Sequence, residues 1–250
     1  MTYAEFEPAD RLRDVVACTW ERWVPERDAP PASRILPDGC VDLVFRGGEL
    51  TTVGPDRGPF MSPLEPGETI VGLRLLPGAA GPVLGLPASE LRDLRVRADE
   101  LWGGPGSQLA ERVGDAGTPA GRRRALEDAV LARQRDVDRP DALVAAAVRV
   151  LGRPGIRVAA LGSALGIGER QLLRRFDAAV GYGPKLLDRV LRFQRFVAQA
   201  PALVADGEQL ARVAAELGYA DQAHLSRDCK QLSGLSPTQL AATWTAFQAR

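Results

Sequence analysis

Arg174 and Arg227 stand 53 residues apart, and each lies two positions after a leucine, Leu172 or Leu225, in a helical apolar stripe. Around Arg174 lie Arg170, Gln171 and Arg175; around Arg227 lie Gln222, Ala223, His224 and Ser226. Arginine can donate two bonds to O6 and N7 of guanine, and glutamine can pair with N6 and N7 of adenine, so these residue types suit the reading of base edges in a major groove. The second set is less polar and predicts weaker discrimination. A single arginine reads equally well as part of a solvated helix face; the shared slot raises Arg174 and Arg227 above the others. Arg175 either pairs with Asp177 or holds phosphate, and His224 is either a helix-surface residue or a DNA contact.

Other chemistry is scarce. His224 is the single histidine of the 250 residues. This removes HExxH zinc sites, histidine-rich metal sites and any Ser-His-Asp triad within the first two hundred residues. Cys18, Cys40 and Cys229 are odd in number, far apart and never in a CxxC pair, so neither a disulfide framework nor a zinc knuckle is expected. No enzyme activity, cofactor or metal is expected. Hydrophobic residues make up 45% and charged residues 26%, with 26 Gly and 19 Pro, the composition of a folded chain. The sequence carries neither an apolar run of bilayer length nor a signal pattern after Met1, so a cytoplasmic location without membrane contact is expected.

The elements that would hold the basic residues come from an internal duplication. Val158, Leu161, Leu165 and Gly166 recur as Leu210, Val213, Leu217 and Gly218, each 52 residues later. Leu172, Arg174, Gly181, Pro184 and Leu187 recur as Leu225, Arg227, Gly234, Pro237 and Leu240, each 53 later, so the second copy has one extra residue in its turn. Each copy opens with an amphipathic helix ending at a glycine suited to the left-handed C′ position. After a short turn a second helix starts, capped by Gly168 in copy one and Asp221 in copy two. It buries Leu172 and Phe176, or Leu225 and Cys229. Two such helices form a helix-turn-helix. Pro184 and Pro237 then open new helices behind Gly183 and Ser236. The first, Pro184 to Ala200, would span roughly 26 Å at 1.5 Å per residue. With its flanking units it could hold two recognition helices about one DNA turn, ~34 Å, apart. A plain helical bundle is the alternative, which the duplication and the caps disfavour.

The run Gly218-Tyr219-Ala220-Asp221-Gln222-Ala223-His224-Leu225-Ser226-Arg227-Asp228-Cys229-Lys230, followed by Gly234-Leu235-Ser236-Pro237, resembles the signature of AraC/XylS-family transcription regulators. The resemblance covers roughly residues 140–247. It implies a double-stranded promoter or operator DNA partner, contact with RNA polymerase, and a preceding effector-binding or oligomerising domain. Leu225 and Cys229 stand where the signature usually has aromatics. At Cys229 a looser core or a compensating neighbour is therefore expected.

Charge divides in the same way. Residues 1–139 carry 18 basic and 23 acidic side chains, residues 140–250 carry 14 and 9, giving −5 and +5. We expect an α+β chain: a β-rich, barrel- or sandwich-like domain closed by helices at 1–135, and an all-α DNA-binding domain at 136–250. Asp136 to Pro140 reads as the linker, and Ala142 to Leu151 as the next helix. Strands are expected at Arg34–Leu36, Val41–Phe45 and Thr69–Leu76, between Pro37-Asp38-Gly39, Gly47-Gly48, Gly54-Pro55 and Pro77-Gly78. A helix is expected over Pro119–Arg135, packed either on its own domain or against a second subunit of an oligomer.

The segments from Leu36 to Phe45, Val53 to Pro55, Gly72 to Ala79 and Leu101 to Gly103 resemble an uncharacterised sensor-like domain found on one subgroup of the same family, which supplies no ligand. A small-molecule pocket lined by Trp20, Trp23, Phe45 and Trp102, with Arg74 or Asp42 as polar anchor, is one reading. Core packing of the aromatics and an Asp42–Arg74 ion pair are the other. Cys40 follows a Pro-Asp-Gly turn and is read as a buried thiol rather than a sensor. The functional alternative is a DNA alkyl-damage response protein with Cys40 or Cys18 as methyl acceptor; the sequence lacks a four-cysteine zinc site and a Pro-Cys-His-Arg-like acceptor motif.

Overall fold

The computed structural model describes residues 2–27, 30–134, 139–153, 158, 161–203 and 210–248. The N-terminal part is built on eight strands: β1 (Thr2–Phe6), β2 (Val16–Trp23), β3 (Ala32–Ile35), β4 (Val41–Arg46), β5 (Glu49–Val53), β6 (Phe60–Pro63), β7 (Thr69–Leu75) and β8 (Arg95–Arg97). Six form an antiparallel sheet in the order β1-β2-β7-β4-β5-β8, and β3 pairs with β6 as a separate ribbon. The expected strands at 34–36, 41–45 and 69–76 correspond to β3, β4 and β7.

Period-two alternation decides what each face does. In β4, Val41, Leu43 and Phe45 are buried while Asp42, Val44 and Arg46 are half-buried. The first set joins Leu50, Val71, Leu73 and Leu75 beneath a helical layer. That layer comprises α1 (Ala80–Leu84), α2 (Ala98–Trp102), α3 (Gly104–Asp115) and α4 (Pro119–Gln134). Leu109, Val113, Leu126 and Val130 are its buried anchors. The helix expected from Pro119 thus packs on its own domain. On the opposite face Cys18, Trp20, Val24, Leu64 and Ile70 form a smaller cluster.

The C-terminal part is helical: α5 (Ala142–Leu151), α6 (Leu161–Ala164), α7 (Glu169–Val180), α8 (Pro184–Leu203), α9 (Leu210–Glu216), α10 (Gln222–Ser233) and α11 (Pro237–Gln248). α5 begins where Asp141 accepts hydrogen bonds from the amides of Leu143 and Val144, satisfying donors that a helix start leaves free. Most of the expected linker, residues 136–138, lies outside the described residues. α8 is longer than expected, 20 residues, or about 30 Å.

Two cores flank α8. One gathers Val144, Leu151, Leu161, Leu172, Phe176, Val180 and Leu187; the other gathers Phe193, Phe196, Val213, Leu217, Leu225, Cys229 and Leu232. Each belongs to one copy of the duplication. Cys229 is fully buried, and Ser233 Oγ donates to its carbonyl at 2.6 Å. Phe193 and Phe196 belong to the same core.

Candidate nucleic-acid interface

In each copy a short helix, a glycine with positive φ and a longer helix follow one another. The glycines are Gly166 (φ 66) and Gly218 (φ 80), in the left-handed region that carries no steric penalty for a residue lacking Cβ. The longer helices, α7 and α10, are 12 residues each. α10 is capped by Asp221, whose Oδ1 accepts from the His224 amide at 2.6 Å. Gly168 starts α7 without a side-chain cap. Both end at left-handed glycines, Gly181 (φ 92) and Gly234 (φ 75). Ser236 and Gln239 then close a reciprocal box: the Ser236 amide donates to Gln239 Oε1 at 2.9 Å, and the Gln239 amide to Ser236 Oγ at 3.2 Å.

Leu172, Phe176 and Val180 of α7 face inward, as do Leu225, Cys229 and Leu232 of α10. Arg170, Gln171 and Arg174 are exposed on α7; Gln222, Ala223 and Arg227 are exposed on α10. Among the described residues, Arg170, Arg174 and Arg227 make no ion pair. These are charged groups free to meet phosphate or a base edge. Arg175 and His224 are engaged. Arg175 pairs with Asp141 at 3.2 Å rather than with Asp177. The His224 ring meets Tyr219 edge-on at 5.2 Å and places Nε2 3.8 Å from Asp228. Ser226 is half-buried. Leu173, at the Ser226 slot of copy one and 44% exposed, joins this surface without having been singled out in the sequence. Its exposure on a helix whose apolar stripe is already complete is the signal that finds it.

The strand-rich domain grips the other end of both helices. Arg92 donates through Nε to the Gly181 carbonyl and through Nη2 to Asp177. Arg34 Nη1 donates to the Ser233 carbonyl at 2.8 Å. Guanidinium groups thus meet helix C-termini, where carbonyls lack intrahelical partners and the helix dipole is negative. Gln194 of α8 donates to the Pro37 carbonyl at 2.6 Å. The adjoining Gly39 (φ 86) lies so close to Leu187 that a Cβ there would fall 2.8 Å from its Cδ1. None of these contacts covers the exposed N-terminal turns of α7 or α10.

The six residues considered for an effector pocket do not converge. Trp20, Asp42 and Arg74 meet on one sheet face: Arg74 clasps Asp42 with two bonds of 3.2 Å, and Trp20 Nε1 donates to Asp42 at 3.1 Å. Burial pushes the Asp42 carboxyl up while Arg74 pulls it down. Phe45 belongs to the core on the opposite face, and Trp102 packs against that core with Nε1 on the Leu84 carbonyl. Trp23 is 46% exposed. Burial also raises the Cys18 thiol to about 11 and the Cys40 thiol well above its ordinary value, with the Asp38 carboxylate adding to the effect at Cys40. Neither is an activated thiolate. Among the described residues no cluster of three or more His, Cys, Asp or Glu could hold a metal, and no helix is long and apolar enough to cross a membrane.

Residues 161–243 match the family model described as a helix-turn-helix domain, and residues 4–97 match a domain of unknown function, DUF6597. No curated protein matches the chain. Among solved structures the chain is similar to ToxT from Vibrio cholerae O395, with 9% identity over 90% of this chain and 96% of that one and a TM-score of 0.46. It is also similar to ToxT of the same strain bound to (E)-4-(8-methylnaphthalen-1-yl)but-3-enoic acid, with 10% identity, 98% of each chain covered and a TM-score of 0.44.

Proposed function

From a C-terminal helix-turn-helix domain of the AraC type, joined to an N-terminal DUF6597 domain, we propose that this chain is a cytoplasmic regulator. It binds an asymmetric promoter site through both helix-turn-helix units and alters the recruitment of RNA polymerase. Residues 136–250 are the DNA-binding domain, and residues 1–135 control it in response to a small molecule or a partner. One observation carries the reading: the N-terminal turns of α7 and α10 expose Arg174 and Arg227 in equivalent slots, while the other domain holds the C-terminal ends of the same helices. Arg170, Gln171, Arg174, Gln222, Ala223 and Arg227 face base edges. Arg175, held by Asp141, and the half-buried His224 and Ser226 border them. Arg34 and Arg92 fix how the two reading heads stand relative to one another, so control by the first domain acts on their spacing.

Selection of bound duplexes from random DNA with the full chain tests this function. Enrichment of two short motifs separated by about one helical turn is the expected result. Failure to enrich any sequence, with binding no weaker at ~200 mM than at ~50 mM salt, would overturn it. The methyl-acceptor alternative receives no support from the buried Cys18 or the half-buried Cys40, whose thiols are both pushed above their ordinary range. Incubation with methylated DNA is expected to leave the mass of the protein unchanged.

A further inference from the structure

Where the two domains meet, donors generally meet acceptors: Arg92 finds Asp177, Arg34 the Ser233 carbonyl, and Gln194 the Pro37 carbonyl. One place departs from this. A cleft of about 740 Å³ is lined by Arg57, Gly58 and Asp93 from the first domain, by Lys185, Leu186 and Arg189 from the start of α8, and by Gln231 from α10. It is an open cleft at the surface rather than an enclosed cavity. Cations are contributed from both sides of the boundary, Arg57 from one and Lys185 and Arg189 from the other.

The local counter-charges are spent. Asp93 is held by the Arg57 amide at 2.8 Å and by Arg57 Nε at 2.7 Å. It is the one non-glycine residue with positive φ (59) among those described. Arg189 is turned to Asp228 and Gln231, at 2.8 and 2.6 Å. Asp228 is buried and does not line the cleft. Lys185 is exposed and makes no ion pair among the described residues. Three cations against two carboxylates, Asp93 in the lining and Asp228 behind Arg189, leave the cleft at +1, carried by Lys185. Like charges brought together across an interface oppose its closure; an anion between them reverses the sign of that interaction and ties the domains together. Leu186 is the only large apolar side chain of the lining, so a lipid tail has little to pack against.

We propose that this cleft binds a small, compact polyanion, a phosphorylated or polycarboxylate metabolite. Lys185 is its principal partner, and Arg57 and Arg189 complete the site from either side. The inference rests on the reading that the first domain controls the DNA-binding domain, and names where that control enters. Because the cleft spans the loop at Arg57, α8 and the end of α10, occupancy biases the spacing of the two recognition helices and thereby the affinity for DNA.

The test is calorimetric titration of the full chain with inorganic pyrophosphate and, separately, with citrate, at constant ionic strength. The expected result is saturable one-to-one binding of at least one of the two, weakened tenfold or more in Lys185→Ala and in Arg57→Ala and retained in Lys185→Arg. Binding of pyrophosphate alone, citrate alone or both identifies the anion chemistry and supports the site in each case. Absence of saturable binding of either probe, or equal binding by wild type and Lys185→Ala, overturns it. So does a loss of DNA affinity in Lys185→Ala with no binding of either probe, which would assign the lysine to the duplex backbone. DNA binding by the probe-free wild type is measured in parallel. If it persists while both probes fail, the cleft assignment falls and the regulator reading stands; if it is absent, that reading falls by itself.

Discussion

Arg92 and Asp177 are 85 positions apart and meet across the domain boundary, the guanidinium donating to the carboxylate while its Nε reaches the Gly181 carbonyl. Arg34 meets Ser233 in the other copy, 199 positions away, with its Nη1 on that residue's carbonyl. Gly181 and Gly234 are equivalents in the duplication, and Ser233 immediately precedes Gly234. One domain therefore holds the same end of both α7 and α10, although the two arginines come from unrelated parts of the sheet domain.

If this double hold sets the spacing of the reading heads, removing it changes which spacings are tolerated. The variant Arg34→Ala/Arg92→Ala is expected to bind sites whose two motifs are moved by one or two base pairs nearly as well as the optimal site, whereas the wild type loses at least tenfold. Fluorescence anisotropy on a set of spacer-length duplexes measures this. An unchanged spacing preference would show that α8 alone fixes the geometry.

Base reading makes a separate demand. Arg174→Ala is expected to cost about 1–3 kcal/mol of specific binding and to relax preference at one position of the site. Arg227→Ala should do the same in the other motif. Arg175→Ala should act on stability through its lost bond to Asp141 and leave base preference intact. Competition assays against single-base variants of the site check all three.

Much of the candidate surface is legible in sequence because local chemistry marks it. The glycines at 166, 181, 218 and 234, the Asp221 cap and the prolines at 184 and 237 each act within one turn of chain, and each is found where the duplication places it. β2 was not legible, since Val16–Trp23 carries a buried run at Cys18–Trp20 in place of clean alternation. α3 opens with Gly-Pro-Gly-Ser, which reads as loop until Leu109 and Val113 are seen to pack on the sheet. The six-residue pocket fails for a reason the sequence did contain. Asp42 and Phe45 are three apart in one strand, so a period of two sends them to opposite faces. The arginine holds at 34 and 92 depend on docking of one domain on the other and leave no local trace.

Gly72 supports the Trp20 indole, which lies so close that a Cβ on residue 72 would fall 2.2 Å from its ring. Gly72→Ala is expected to displace the indole, break its bond to Asp42 and destabilise the first domain by about 1–3 kcal/mol. A lowered unfolding midpoint together with altered tryptophan fluorescence is the signature. An unchanged midpoint would mean the strand shifts without cost.

Cys18 and Cys229 are both raised to about 11 by burial. The folded state keeps these thiols neutral at pH values where the unfolded chain ionises them near 9. Their contribution to stability is therefore complete below about pH 9 and is lost as pH rises toward 11. Urea unfolding at pH 8 and 10.5 should show a smaller decline in Cys18→Ala than in wild type. An equal decline would assign the loss to other groups.

Methylation interference at guanine N7 on the selected duplex tests the account most directly, since N7 lies in the major groove where Arg174 and Arg227 are placed to read. Two clusters of interfering guanines are predicted, about one helical turn apart on one face of the duplex, with Arg174→Ala erasing the first and Arg227→Ala the second. A single cluster, or two that neither substitution alters, would contradict it.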